Sequence, residues 1–471
     1  MDHAISATQE SESVQAASGS PTAISLVGSG SLAGPDFSCG AGTLGCLRVL
    51  VFGVIAFVIW NEDIVSSLLL GETFRRPMGI MKLIRQASDA LGRPLNDFTT
   101  LQTLKWATLA FSLMACVGAF KRLSLPLATV GYLVFAGILR EYSHLFHSGL
   151  LSLYLATALC FMPCADAVSV DRWLGRTREN RSREFYGWCR FACWAMIAIC
   201  YFGAGYSKLT NGGLMWWAGE NLRQIVLTDC MNPMMFDWDV GLKLKDMPLA
   251  MFAGMGLWAL VIETLYPMVL FSRWARFVFP VAAVGMHLGI FFFQNILFLD
   301  LILLQLMFVN WDRVVGQSAA VNGATKSDAD SVSKIVLMMI FVLLLMVVTK
   351  IEHYPLTSWQ MYSGKGNGEQ AIYFSCKETL ADGQTQIARF ETVFPVLTDT
   401  RYRDVLLWIR EKPDHLREFA RRYIQLTNAN REQPYKIQEV RMQRRSWSID
   451  KSADDYDADV LLDEVVVAAP Q

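Results

Sequence analysis

The chain has 471 residues; 53% are hydrophobic, 18% are charged, and the net charge is −1. Mean hydropathy is +0.30, above that of an ordinary soluble enzyme, and the charges cluster so that long stretches carry almost none. This is the pattern of a polytopic membrane protein with soluble ends. The lack of a basic excess excludes nucleic acid as a partner and leaves membrane lipids as the first surroundings to consider.

Residues 1–42 are rich in Ser, Ala and Gly, contain Asp2, Glu10, Glu12 and Asp36, and have no Lys or Arg. A secretory signal begins with a basic region, so this segment reads as a disordered cytoplasmic tail. Apolar runs long enough, or nearly so, to cross a bilayer follow at 44–60, 104–120, 124–140, 147–163, 189–206, 249–271, 276–293, 295–309 and 335–349. They predict about nine transmembrane helices, with 276–309 also readable as one tilted span plus a re-entrant piece. Residues 62–98 are amphipathic and read as helices lying at the interface.

Loop charges give an orientation. With the N-terminus inside, the cytoplasmic loops hold Lys121 and Arg122, the run Arg172, Arg176, Arg178, Arg181 and Arg183, then Arg273, Arg276, Arg313, Lys326 and Lys334. The 61–103 loop, with five basic residues, goes against the rule. The balance favours N-terminus in and C-terminus out, which exports residues 351–471. Strands are expected there at 371–377 and 386–394 around the hairpin signal Asp382-Gly383, then a helix at 399–427, a last strand at 435–448 and an acidic tail. The fold class is thus a polytopic all-α membrane bundle, residues 43–350, with a small C-terminal exoplasmic α+β domain, residues 351–471.

Ten cysteines are present, mostly inside apolar runs, and none forms a CxxC pair. That argues against a disulfide framework and against a thiol oxidoreductase. Lys208 ends the fifth apolar run, in Tyr201-Phe-Gly-Ala-Gly-Tyr-Ser-Lys208. An ammonium there must snorkel to water, pair with an anion or serve as a chemical group, and Gly203 and Gly205 let another helix or a ligand come close. Glu141, His144 and His147 are spaced i, i+3, i+6, along one helix flank. Such a flank suits helix-end polar groups, proton transfer or a metal, but a di-iron site needs a second Glu-x-x-His, so no metal is expected. Glu263 and His287 lie inside spans and need partners, each other or an arginine being the obvious ones. Tyr201, Tyr206, Trp216 and Trp217 belong to an aromatic belt or to a flat pocket for a ring-bearing lipid.

Tyr201-Phe-Gly-Ala-Gly-Tyr-Ser-Lys-Leu followed by Trp216-Trp-Ala-Gly-Glu220 resembles the core of the vitamin K-dependent gamma-glutamyl carboxylase and its bacterial HTTM relatives. His147-Ser148, an apolar span and Ser169-Val-Asp171 resemble the same family's arrangement. The resemblance implies Lys208 as catalytic base with His147 assisting, and His144, Glu141, Glu263 and His287 in support. It also implies a reduced quinone (vitamin K hydroquinone-like), O2 and CO2 as co-substrates, and a multi-pass protein of the bacterial inner membrane. The carboxylase's large luminal region, which binds its protein substrate, has only about 120 residues as a counterpart here. A protein or peptide substrate on the exoplasmic side is therefore an open expectation. The contrasting reading is a non-catalytic membrane scaffold whose exported domain binds a partner, with Lys208 as a structural or snorkelling residue.

Overall fold

The computed structural model describes residues 38–142, 147, 149–177, 181–232, 238–315, 326–366, 368–398, 400–451 and 458–470. The tail expected at 1–42 lies outside them as far as residue 37. The main helices are α1 (Ala41–Asn61), α2 (Ile80–Ala90), α3 (Phe98–Val117), α4 (Lys121–Arg140), α5 (Leu150–Phe161), α6 (Arg183–Gly212), α7 (Gly219–Met231), α8 (Leu249–Leu265), α9 (Ala275–Gln294), α10 (Leu299–Leu304) and α11 (Lys326–Thr349).

Among the described residues five helices are long and apolar enough to cross a membrane: α1, α4, α6, α8 with its continuation to Leu270, and α9. Five of the about nine expected spans are thus matched, and the other four apolar runs form shorter or more polar helices. The 104–120 run lies in α3, whose 20 residues include Gln102, Lys105 and four threonines. The 147–163 run yields only the 12 residues of α5, started by Gly149 at φ 80° and stopped before Pro163. At 1.5 Å per residue such a helix covers about 18 Å of a roughly 30 Å hydrocarbon core. The 295–309 run breaks into α10 and a 3-10 turn, and the apolar part of α11 is also short.

The most enclosed span is α6, 83% buried over its apolar window, whereas α8 and α9 are 33% buried and turn most of their surface outward. Arg48 of α1 is fully buried. Its guanidinium donates to the carbonyls of Cys164 at 2.6 Å and Val168 at 2.5 Å, and more weakly to Cys116. It thereby joins the end of α3 to the chain leaving α5. Gly118, at φ 69°, makes room for it, since a Cβ there would strike the guanidinium.

The C-terminal region forms one antiparallel sheet in the order β2-β1-β3-β4, with β1 Gln370–Leu380, β2 Thr385–Ile387, β3 Ile437–Ser448 and β4 Asp459–Ala468. The Asp382-Gly383 hairpin forms as the sequence predicts, but β2 is only three residues long. Phe390, Phe394, Val396 and Leu397 are buried and sit on 3-10 turns or beside them, plugging the core rather than alternating along a strand. The helix expected at 399–427 is broken. It forms α12 (Thr400–Leu406), one turn at Trp408–Glu411, and α13 (Pro413–Ala429), because Pro413 cannot continue a helix but suits its first turn. The tail is not simply acidic: its apolar residues build β4, and Asp463 and Asp459 meet Arg444 at 2.8 Å and Arg445 at 3.0 Å across β3.

The 61–97 segment packs against this region. Phe74 stacks on Trp408 at 5.3 Å, Arg76 lies 4.1 Å over the same indole, and Arg401 of α12, fully buried, reaches Glu62 at the end of α1 at 2.6 Å. Arg75 bonds Tyr142, and Arg85 bonds Glu141 and Asn96. Three of the four arginines that opposed the charge rule, Arg75, Arg76 and Arg85, are thus engaged in internal contacts. Replacing Arg401 with Met leaves the Glu62 carboxylate without its partner. The expected loss is about 3 kcal/mol, with faster trypsin cleavage of the C-terminal region; a variant that melts and digests like wild type refutes the clamp.

Candidate functional site

Lys208 neither snorkels nor points to water. It is 4% exposed, and its Nζ lies 2.9 Å from Glu263 Oε1 and 2.8 Å from Oε2. Gly205 makes this contact possible. A Cβ there would collide with the backbone of Glu263 and Thr264, so the glycine lets α6 and α8 close up until the two side chains meet. The indole of Trp216 covers the ammonium at 5.2 Å.

A second polar group stands nearby on the same wall. Tyr201 Oη and His287 Nε2 are 2.8 Å apart, Gln305 Nε2 donates to Tyr201 Oη at 2.9 Å, and Tyr266 donates to Gln305 Oε1. Tyr201 and Tyr266 stack at 4.3 Å. The expected pairing of Glu263 with His287 or an arginine is therefore replaced by two separate pairs, Lys208–Glu263 and Tyr201–His287. Both pairs line a cavity of about 420 Å³ between α6, α7, α8, α9 and α10, otherwise walled mainly by apolar and aromatic side chains such as Trp216, Trp258, Phe293 and Phe298. That size lies within the ordinary range for small-molecule sites.

The roof comes from the chain after α11. Trp359, Met361 and Tyr362 line the cavity, and Trp359 and Tyr362 have φ of 60° and 50°. Tyr362 accepts from Trp216 Nε1 at 2.8 Å through its carbonyl, and Ser363 Oγ accepts from Asn211 at 3.0 Å. Sequence reading took this segment as the start of a separate domain. The signal that could have found it is the cluster His353-Tyr-Pro-Leu-Thr-Ser-Trp-Gln-Met-Tyr362, too aromatic for an ordinary linker.

His147 does not line the cavity. It lies against Trp359, ring centroids 5.8 Å apart, with Nε2 3.7 Å from Glu352. Arg140 approaches the same carboxylate at 3.6 Å. Glu141 and His147 do not share a helix flank, because α4 ends at Arg140 and Glu141 turns to Arg85; His144 and Ser148 lie outside the described residues. Tyr201 and Trp216 line the cavity; Tyr206, stacked on Phe202, and Trp217, packed against the Trp216–Phe252 cluster, are not among its lining residues. Among the described residues no three His, Cys, Asp or Glu side chains gather to hold a metal.

Glu352 anchors the foot of the roof. Burial pushes its carboxyl up, but the His147 imidazole and the hydroxyls of Thr357 and Ser358 outweigh this and hold it down at about 2, against the usual 4.5. A carboxylate depressed in the fold stabilises above its ordinary value and ceases to do so as pH falls through the folded one. The melting-temperature gap between wild type and Glu352→Gln is therefore expected to close as pH falls from about 4.5 to about 2; a gap that does not change over that range contradicts the assignment.

Residues 43–313 match the HTTM domain. No curated protein and no solved structure matches the chain. The HTTM match covers more than half of the 471 residues and the long apolar helices described above, and the chain is a member of the HTTM domain family.

Proposed function

We propose that this protein is an integral membrane enzyme that takes a proton from a lipophilic, ring-bearing substrate in the Lys208 cavity, in the manner of the carboxylase-like members of its family. The observation that carries this is the buried Lys208–Glu263 pair on the wall of an apolar, aromatic chamber. In a medium of low dielectric the ion pair and its neutral form, amine beside carboxylic acid, differ by one short proton transfer, and each carries its desolvation cost differently. When Glu263 holds the proton, Lys208 is a free amine able to act as a base. Tyr201, fixed by His287 and Gln305, offers a hydroxyl at a second point on the wall to orient a polar ring substituent. The indoles and the roof exclude water.

A reduced quinone suits the chemistry of these surfaces: it would bring a flat ring to the aromatic walls and hydroxyls to the polar pairs. When bound, it would supply the redox chemistry with O2 that, in the carboxylase, ends in proton abstraction and CO2 addition. With Glu263 already protonated, Lys208 would take the ring hydroxyl proton and keep it as the ammonium, paired with the ring oxyanion left on the substrate. His147, against Trp359, would act on the roof and not on the substrate. The N-terminus in, C-terminus out orientation puts the roof and the C-terminal sheet on the exoplasmic side, where a peptide acceptor would arrive.

One observation favours the scaffold reading. Lys208 is already saturated by both oxygens of Glu263 and by Trp216, as a purely structural ion pair would be. Purified protein in lipid-supplemented detergent, given reduced naphthoquinone and O2, separates the two. Lys208→Arg keeps the ion pair but cannot yield a free base, so it should melt like wild type and lose epoxide formation by about 100-fold or more. Undiminished turnover in Lys208→Arg, or no turnover in wild type, rejects the base role and leaves the structural one.

A further inference from the structure

We infer that the cavity opens sideways into the acyl-chain region through a slot between α8 and α9. Its ligand is then an amphiphile whose flat head faces Lys208 and whose long apolar tail leaves through that slot. The head half of this statement rests on the function proposed above; the slot rests on the glycines and exposed side chains alone.

Three glycines line the cavity, Gly254 on α8 and Gly285 and Gly289 on α9, and a Cβ added to any of them meets no atom within 4 Å. Glycines in membrane helices ordinarily serve close packing, and others here do so. A Cβ on Gly205 would strike α8, and one on Gly256 would strike Leu222 and Trp217. The space left by Gly254, Gly285 and Gly289 is instead empty. Gly254 and Gly285 are exposed although they line the cavity, so the cavity wall is open at their positions. Trp258 likewise lines the cavity while remaining 53% exposed. One ring and two glycines, exposed on the cavity wall, mark a passage through it.

The outer side of that passage is apolar. Leu257 and Val261 on α8, and Val281, Leu288 and Phe292 on α9, are all exposed, on the two spans that turn most of their surface outward. A side opening bordered by such residues faces lipid tails, not water. Trp359, Met361 and Tyr362 meanwhile cover the cavity from the end of α11. A ligand with a long apolar tail can keep that tail in the bilayer while its head is enclosed, and each buried methylene adds to its retention.

The test compares binding of 2-methyl-1,4-naphthoquinone with and without an isoprenoid tail, read by quenching of the cavity tryptophans, in wild type, Gly254→Phe, Gly285→Phe and the control Val130→Phe at an exposed position of α4. The new rings enter empty space, so the variants should fold, which melting curves check. The slot variants are expected to bind the tailed quinone about tenfold or more weakly and the tail-less one within about twofold of wild type, with Val130→Phe unchanged. Equal effects on both quinones, or no effect on either, overturn the slot. If wild type binds neither quinone, the quinone half fails, and lipid recovered from the purified proteins decides the rest: a tailed lipid held by wild type and lost in Gly285→Phe upholds the slot, and identical lipid contents overturn it. Loss of turnover in Lys208→Arg bears on the base alone, so the two proposals fail separately.

Discussion

The contact between Lys208 and Glu263 is the constraint around which the membrane part is organised. Two opposite charges in a low-dielectric setting are expensive apart and tolerable only together. Their meeting dictates how closely α6 and α8 approach, and that closeness dictates a glycine at 205. The rest of the enclosure follows. Trp216 covers the ammonium, the carbonyl of Tyr362 ties the indole of Trp216, and the chain after α11 is thereby drawn over the chamber. Tyr201, one helical stretch earlier on α6, supplies the other polar point, locked by His287 and Gln305 so that no buried hydroxyl is left to choose its own partner.

How much of this was legible in the sequence varies with the range of the interaction. Lys208, Glu263, His287, Tyr201 and Trp216 stand out because a charged, ionisable or large amphipathic group is conspicuous in an apolar run, and all five line the cavity. Their pairing was not legible: partner choice depends on which helix faces touch, and neither periodicity nor composition specifies that. His147 shows the same limit. Its proximity in sequence to Glu141 suggested a shared helix flank, but Gly149 and the end of α4 place it in a connection where Glu352, two hundred residues away, is its neighbour.

The fold was read with similar unevenness. The long apolar runs of α1, α4, α6, α8 and α9 announce themselves by hydropathy, while α5 and α10 are too short for their apolar runs to count as full spans. In the C-terminal region the Asp-Gly turn is a local signal and survives. The strand at 459–468 was hidden because its acidic residues look like a solvated tail until the arginines of β3 are seen opposite them. Acidic residues on a strand are uninformative without the basic partner strand.

The roof over the chamber carries a consequence for how the molecule divides. Hydropathy draws the boundary between membrane and soluble parts at the end of α11, near residue 350, yet Trp359, Met361 and Tyr362 belong to the chamber and not to the sheet that follows them. They are also among the last chamber residues to be synthesised, after every wall helix is already made. The enclosure is therefore finished from outside the bilayer. Cutting the chain at its hydropathy boundary would not separate two independent units; it would leave the membrane half with an open room.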